Sequence, residues 1–250
     1  MTKSIKTKDS DQYNKWWSEL SSSNAEDPGT LYRAELIQKE IRMLKVRSIV
    51  DAGCGTGEFI KRLRIDPELK GVKLAGFDVA DQVIESNKKK FPEVEFFTLN
   101  LNEKTDLKKD FDLVVCSEVI EHLENWRISI ADLGQMVKKG GYVLITTQSG
   151  KRYKHHLAIA HLQHFTIEEI SSELKINNLK VIKSFYSGWP FMNLKNILTT
   201  IFYSQIEKGL MKSKKQGILN RFIFKVFKVL YNISSKSSGP QIFVLARKIS

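Results

Sequence analysis

Two stretches of this sequence carry residues spaced for chemistry. In SEVIEHL, Glu118, Glu121 and His122 stand at i, i+3 and i+4. On one helical turn those positions share a face, and two carboxylates with an imidazole form a site for a divalent cation such as Mg2+. A cation there would lower the pKa of a substrate hydroxyl and act as a Lewis acid. The same residue types also serve for packing and capping with no metal bound. Further on, HLQHF supplies His161 and His164. An imidazole suits removal of a proton from a polarised hydroxyl, so these two, with Glu121, are the catalytic candidates. The second stretch is VRSIVDAGCGTGE. Asp51 ends a β-branched run, and Gly53, Gly55 and Gly57 follow at every second position. Glycines there let the backbone turn tightly and approach a ligand, and the helix that follows points its free N–H groups at that ligand.

These groups need a scaffold, and the chain alternates strand and helix patterns regularly. Apolar runs predict strands at 48–51, 73–78, 94–99, 111–116 and 142–147, with helices over 57–63, 81–90 and 125–137 between them. Gly140 and Gly141 stop the last of these helices. Such alternation argues for an α/β fold, a mostly parallel sheet covered on both faces, with ligands beyond the strand carboxyl ends. An amphipathic helix over 31–44, with Leu31, Ala34, Ile37, Ile41 and Leu44 on one face, leads into the first strand. Later come a capped helix starting at Thr166, with Glu169 as its capping-box partner, and strands at 179–185 and 241–247. Asp78 closes the second strand, where an acid can accept both hydroxyls of a ribose; Asp81 is free to cap the next helix.

The order of these features resembles the class I S-adenosylmethionine-dependent methyltransferases. The spacing is G-x-G-x-G after an acidic residue, which suits a ligand carrying an ammonium and a sulfonium. With CSEVIEHL and GGYVLITT in family order, the resemblance covers residues 30–185 and is nearest the ubiquinone-biosynthesis O-methyltransferase, or methyltransferase type 11-12, group. It implies a Rossmann-like seven-stranded sheet with a helical insert between strands 6 and 7. It also implies cofactor contacts from Arg33, Asp51, Gly53, Cys54, Gly55, Gly57, Asp78, Val79, Asn100, Leu101 and Ser117. Arg33 would take the cofactor carboxylate and Asn100 the adenine. The family's E-x-x-E-H motif is joined by a distant histidine, so Glu118, Glu121, His122 and His161 form the metal set it implies. The small-RNA 2′-O-methyltransferases look similar at this motif, but the Trp expected after their histidine pair is absent here.

Composition sets the frame. At 250 residues with 42% hydrophobic and 27% charged content, one domain with additions is expected; the net charge of +12 fits anionic partners and equally a lysine-rich proteome, to which the scattered lysines point. Two cysteines, Cys54 and Cys116, beside predicted strand ends make a disulfide framework unlikely and a reducing, cytoplasmic compartment the expectation. The polar start has no apolar segment of a secretory signal. The expected division is a tail and short helix over 1–30, a cofactor-binding core over 31–187, an amphipathic insert over 188–239 and a last core strand over 240–250. Trp16 and Trp17 cannot share one face of the short helix; simple packing onto the core is the favoured reading, and cover of a pocket by one of them the alternative. The insert reads as two amphipathic helices, the second over 219–233 with a narrow basic stripe of Arg221, Lys225 and Lys228. A packed lid, a homodimer contact through 190–233 and a peripheral membrane contact all fit that pattern. The expected activity is O-methylation of a small-molecule, glycan or lipid-linked acceptor, with nucleic acid a less favoured partner and a non-catalytic scaffold the reading from another class.

Overall fold

The computed structural model describes residues 8–20, 27–105, 107, 109–201, 226–227 and 229–249. Helix α1 (Lys8–Leu20) and helix α2 (Pro28–Leu44) precede the sheet. Within the 1–30 segment expected as a tail and short helix, the helix begins at Lys8. Helix α2 also begins earlier than the apolar stripe implied, at Pro28. Proline there needs no N–H partner, and the Asp27 side chain caps the helix by accepting from Gly29 N at 2.9 Å and Thr30 N at 3.1 Å.

The chain continues through β1 (Ser48–Ala52), α3 (Glu58–Arg64), β2 (Lys73–Asp78), α4 (Asp81–Lys90), β3 (Glu95–Thr98), β4 (Phe111–Ser117), α5 (Trp126–Gln135) and β5 (Val137–Gln148). Then follow α6 (Lys154–Ala158), α7 (Ile167–Ile176), β6 (Leu179–Ser187), α8 (Phe191–Ile201) and β7 (Gln241–Lys248). The sheet order is β3-β2-β1-β4-β5-β7-β6, parallel except where β7 runs antiparallel to both neighbours. This is the Rossmann-like arrangement expected from the sequence. Adjacent residues of one strand serve opposite cores. Val114 packs beneath α5 and α7 with Ile130, Leu133, Ile170 and Leu174. Leu113 and Val115 pack beneath α2 and α3 with Ile37, Ile41 and Leu63. Both faces being covered explains the near-continuous apolar runs.

Two local expectations are corrected. Gly140 and Gly141 do not end a helix; α5 stops at Gln135 and both glycines lie inside β5. A side chain on Gly141 would stand 2.9 Å from Asp112 O, and the β4–β5 register shifts at that point. Asp81 is the first residue of α4 and not its cap; Ala80 occupies the cap position. Helix α1 supplies what Ala80 lacks. Asn14 Oδ1 accepts from Gln82 N at 3.2 Å while Asn14 Nδ2 donates to Asp81 at 2.7 Å. The capping box at Thr166 and Glu169 is present, with both reciprocal bonds formed.

Of the 188–239 insert, α8 and the end of a second helical stretch are described. Tyr231 and Met192 pack against Tyr32 of α2. Arg221, Lys225 and Lys228 lie outside the described residues. No helix among the described residues is long and apolar enough to cross a membrane.

Candidate active site

A cavity of about 680 Å³ opens beyond the carboxyl ends of β1, β2 and β4. Its first wall is the glycine turn. Gly53 N and Cys54 N both donate to Phe77 O, at 2.8 and 2.9 Å, which ties the turn to β2. Gly53 has φ +76°, and a Cβ there would come within 2.4 Å of Val119. Gly55 has φ +48°, and its Cβ would lie 2.4 Å from the Trp17 indole. The turn is therefore glycine for a double reason, left-handed backbone and close cover. Asp78 fixes it electrostatically: Oδ2 accepts from Gly55 N at 2.9 Å and Oδ1 from Ala80 N at 3.0 Å. Val79 N–H also bonds this carboxylate, and burial, set against these three backbone bonds, raises its pKa. Asn87, fully buried on α4, holds Gly55 O at 2.7 Å.

Asp51 is buried, and that burial, with the Asp78 charge second, pushes its carboxyl up to about 7. Burial likewise raises the Cys54 and Cys116 thiols well above their usual range, so neither is a thiolate nucleophile. Arg33, Gly53, Cys54, Asp78, Val79, Asn100, Leu101 and Ser117 line the cavity. Asp51, Gly55 and Gly57 are not part of the lining. Trp17 covers Gly55, and Gly57 packs under Phe91 and Asn87. The Asn100 side chain is engaged locally, accepting from Asn102 N at 3.0 Å and donating to Glu103 at 2.9 Å. Arg33 donates to Gln241 Oε1 at 3.3 Å and lies 3.7 Å from Glu118.

The acidic motif departs from the expected helical turn. Glu118 sits at φ +57°, ahead of a short 3-10 turn over Ile120–His122. Its carboxylate accepts from Gln148 and, at 2.9 Å, from Gln241. Glu118 is therefore directed to Arg33 and two amides and stays out of the metal candidate, which reduces to Glu121, His122 and His161. One ligand atom from each of those three lies within 4.8 Å of the others. Glu121 is wholly buried. Its Oε2 accepts from Thr147 Oγ1 at 2.7 Å, while Oε1 has no hydrogen-bond partner among the described residues. Burial, then the Glu118 charge, raises its pKa well above the usual range.

All five histidines of the chain gather here. His122 and His161 rings stand 4.7 Å apart, and His156 lies 5.2 Å from His161. Burial first, then the other histidines, lowers His156 and His161 to about 3. With neutral rings, the backbone decides the tautomers. A carbonyl only accepts, so His164 Nδ1–H donates to Gly150 O at 3.1 Å. Its Nε2 then accepts from His161 Nδ1–H at 3.0 Å, leaving the His161 Nε2 lone pair open. His122 Nδ1–H donates to Ala160 O at 3.2 Å, with the same result. His161 and His122 line the cavity; His164 and Glu121 do not. Of the catalytic candidates, His161 alone reaches the cavity, and His164 acts on it from behind.

Sequence reasoning missed several residues of this site. Gln148 and Gln241 hold Glu118, and Tyr13, Trp16 and Trp17 together line the cavity from α1. From the insert, Met192, Lys195, Asn196, Thr199 and Tyr231 line it as well. The doubled tryptophan was the one usable signal, and both residues, their rings 4.6 Å apart, line the cavity, where packing onto the core was the favoured expectation and cover by one of them the alternative.

Sheet order, glycine turn and strand-end acid together define the class I methyltransferase fold. The family model for the methyltransferase domain matches residues 23–184, and the chain belongs to that family. Ubiquinone biosynthesis O-methyltransferase of Hydrogenovibrio crunogenus is 26% identical over 149 residues, 58% of this chain and 59% of that protein. The mitochondrial enzyme of the same name from Rattus norvegicus is 33% identical over 150 residues, 56% of this chain and 38% of that one. This chain thus matches less than two thirds of the length of these curated relatives. Among solved structures, the plantazolicin methyltransferase BamL, in complex with a triazolic desmethylPZN analog and SAH, is similar at TM-score 0.59 and 16% identity, over 96% of this chain and 95% of that one. A SAM-dependent methyltransferase from Archaeoglobus fulgidus gives TM-score 0.57 and 18% identity, over 94% and 99%. At such identities the likeness shows the fold.

Proposed function

We propose that the protein transfers a methyl group from S-adenosylmethionine to a hydroxyl of a small organic acceptor. The observation that carries this reading is one continuous cavity running from the Gly53 turn and Asp78 to His122 and His161. The cradle fits the cofactor: Gly53 has no room for a side chain, and Asp78, which lines the cavity, offers its carboxylate to hydroxyls. When bound, the cofactor supplies an electrophilic methyl on a sulfonium. The chain orients the acceptor, excludes water with Tyr13, Trp16 and Trp17, and takes up the hydroxyl proton at His161 Nε2. Positioning supplies much of the rate of such a displacement. The largely apolar lining supports a small organic acceptor over an RNA strand, and glycan or lipid-linked compounds remain acceptors through a small reacting end group. The exposed apolar residues of α8, Leu194, Ile197, Leu198 and Ile201, keep a homodimer or peripheral membrane contact in the same reading.

A divalent ion is a second reading of the same corner, favoured by the unpartnered Glu121 Oε1 beside His122 and His161. Those three residues would hold it, and it would acidify the acceptor hydroxyl. Depressed imidazoles ligate well and accept protons weakly, which supports this reading further.

The test is turnover of labelled cofactor with a panel of phenols and alcohols, with products identified by mass. His161→Asn is expected to lower kcat about 100-fold, the usual weight of a positioned base, at unchanged cofactor affinity. Asp78→Ala is expected to abolish cofactor binding. A full-rate His161→Asn variant would refute the proton-transfer role. Loss of turnover on chelation, restored by Mg2+, would assign the corner to metal; insensitivity to chelator would remove it.

A further inference from the structure

Glu118 is not a glycine, yet its φ is +57°. Side chains are strained in that conformation, and such strain clusters at ligand sites. Two glutamines hold it there, Gln148 at the end of β5 and Gln241 opposite it at the start of β7. Gln148 Nε2 donates to one carboxylate oxygen of Glu118, and Gln241 Nε2 to the other at 2.9 Å. Gln241 is buried, and its Oε1 accepts from Arg33 at 3.3 Å. A carboxylate only accepts and a guanidinium only donates, so this one amide faces both charges and fixes the side on which each stands.

The two charges are kept apart. Arg33 and Glu118 approach to 3.7 Å with no hydrogen bond between them, whereas a closed pair stands at about 2.8 Å. Lys195 and Asp27, also in the cavity lining, are closed by a direct hydrogen bond. Arg33 has one further bond, to Thr30 Oγ1, long at 3.4 Å, and a guanidinium carries more donors than these. Both members of the open pair line the cavity, and their side chains are 15% and 18% exposed. An open pair selects its ligand. A lone carboxylate at Arg33 would be repelled by Glu118, and a lone amine at Glu118 by Arg33. A group with an ammonium and a carboxylate on one carbon meets both.

We propose that Glu118 binds the ammonium of S-adenosylmethionine, gripping the amino-acid end of the cofactor together with Arg33. Glu118 then belongs to the cofactor site and not to the metal set implied by the sequence. The assignment rests on the methyltransferase reading above, and the experiment separates the two.

Three probes are titrated by calorimetry into the full chain: S-adenosylhomocysteine, its deaminated analogue and its decarboxylated analogue. In the parent, both analogues are expected to bind more weakly than S-adenosylhomocysteine. Glu118→Gln is expected to weaken S-adenosylhomocysteine and the decarboxylated analogue about 30-fold, the weight of a hydrogen bond between charged groups. It is expected not to weaken the deaminated analogue, whose carboxylate no longer meets a negative charge. Arg33→Gln is expected to give the mirror pattern, sparing the decarboxylated analogue alone. Glu118→Gly, unstrained at φ +57°, is expected to repeat the Glu118→Gln pattern with no new amide to mispair with Gln148 and Gln241. Equal weakening of all three probes by Glu118→Gln, or no weakening of any, overturns the proposal and leaves the methyltransferase reading standing. Failure of the parent to bind S-adenosylhomocysteine overturns that reading and the proposal with it.

Discussion

Asp51 shows what burying a single carboxyl costs in stability. In the fold its carboxyl titrates at about 7, against 3.8 for the ordinary side chain. Between those values the unfolded chain has released a proton that the folded chain keeps, so stability falls as pH rises through the window and stays lowered above it. Asp51→Asn removes that loss. The variant is expected to melt at least about 2–4 °C higher than the parent at pH 8, the shift that ~1 kcal/mol gives in a chain of this size, with the gap closing toward pH 4. Cofactor affinity is expected to change little, because Asp51 stands outside the cavity lining. Scanning calorimetry at the two pH values, paired with cofactor titration, checks both halves. A variant no more stable at pH 8 would show that burial of Asp51 carries no such penalty.

At the scale of elements, α1 is the piece to watch. It docks on α4 through Ser10 and Asn14, both bonded to Asp81, and lays Trp17 over Gly55. Asn14 completes the N-terminus of α4, which Ala80 leaves without a side-chain cap, and Ser10 braces the Asp81 side chain. Docking of α1 and closure over the glycine turn are therefore one event. Asn14→Ala is expected to loosen both: α1 becomes sensitive to limited proteolysis, and cofactor dissociates several-fold faster in stopped-flow measurements. Bound S-adenosylhomocysteine should restore the protection. If Asn14→Ala leaves α1 as resistant as in the parent, the cap is not what holds the helix.

For the molecule as a whole, the cavity joins parts far apart in the chain: α1, α2, the ends of β1, β2 and β4, the histidine segment and the insert. A ligand spanning it ties these parts to one another and binds the folded state only. Stability should then rise by about 2.7 kcal/mol when free ligand reaches a hundred times its Kd. Thermal unfolding against S-adenosylhomocysteine concentration checks this, and a flat response would show that the cavity does not hold it.

Legibility followed the range of the interactions. The β1–turn–α3 unit, Asp78 at the end of β2 and the Thr166 capping box were readable because each is written in residues a few positions apart and obeys local backbone rules. Alternating strand and helix patterns likewise dictated a sheet covered on both faces. The positions of Gly140 and Gly141 were misread, since a glycine that relieves contact with Asp112 O looks in sequence like one that stops a helix. The geometry of Glu118 depended on a left-handed residue and on Gln148 and Gln241, which arrive from β5 and β7. The open nitrogen of His161 depends on Gly150 O behind His164, and the unpartnered Glu121 Oε1 on which residues surround it. Hydrogen-bond satisfaction is a property of the whole packed chain, so these assignments belong to the tertiary structure alone.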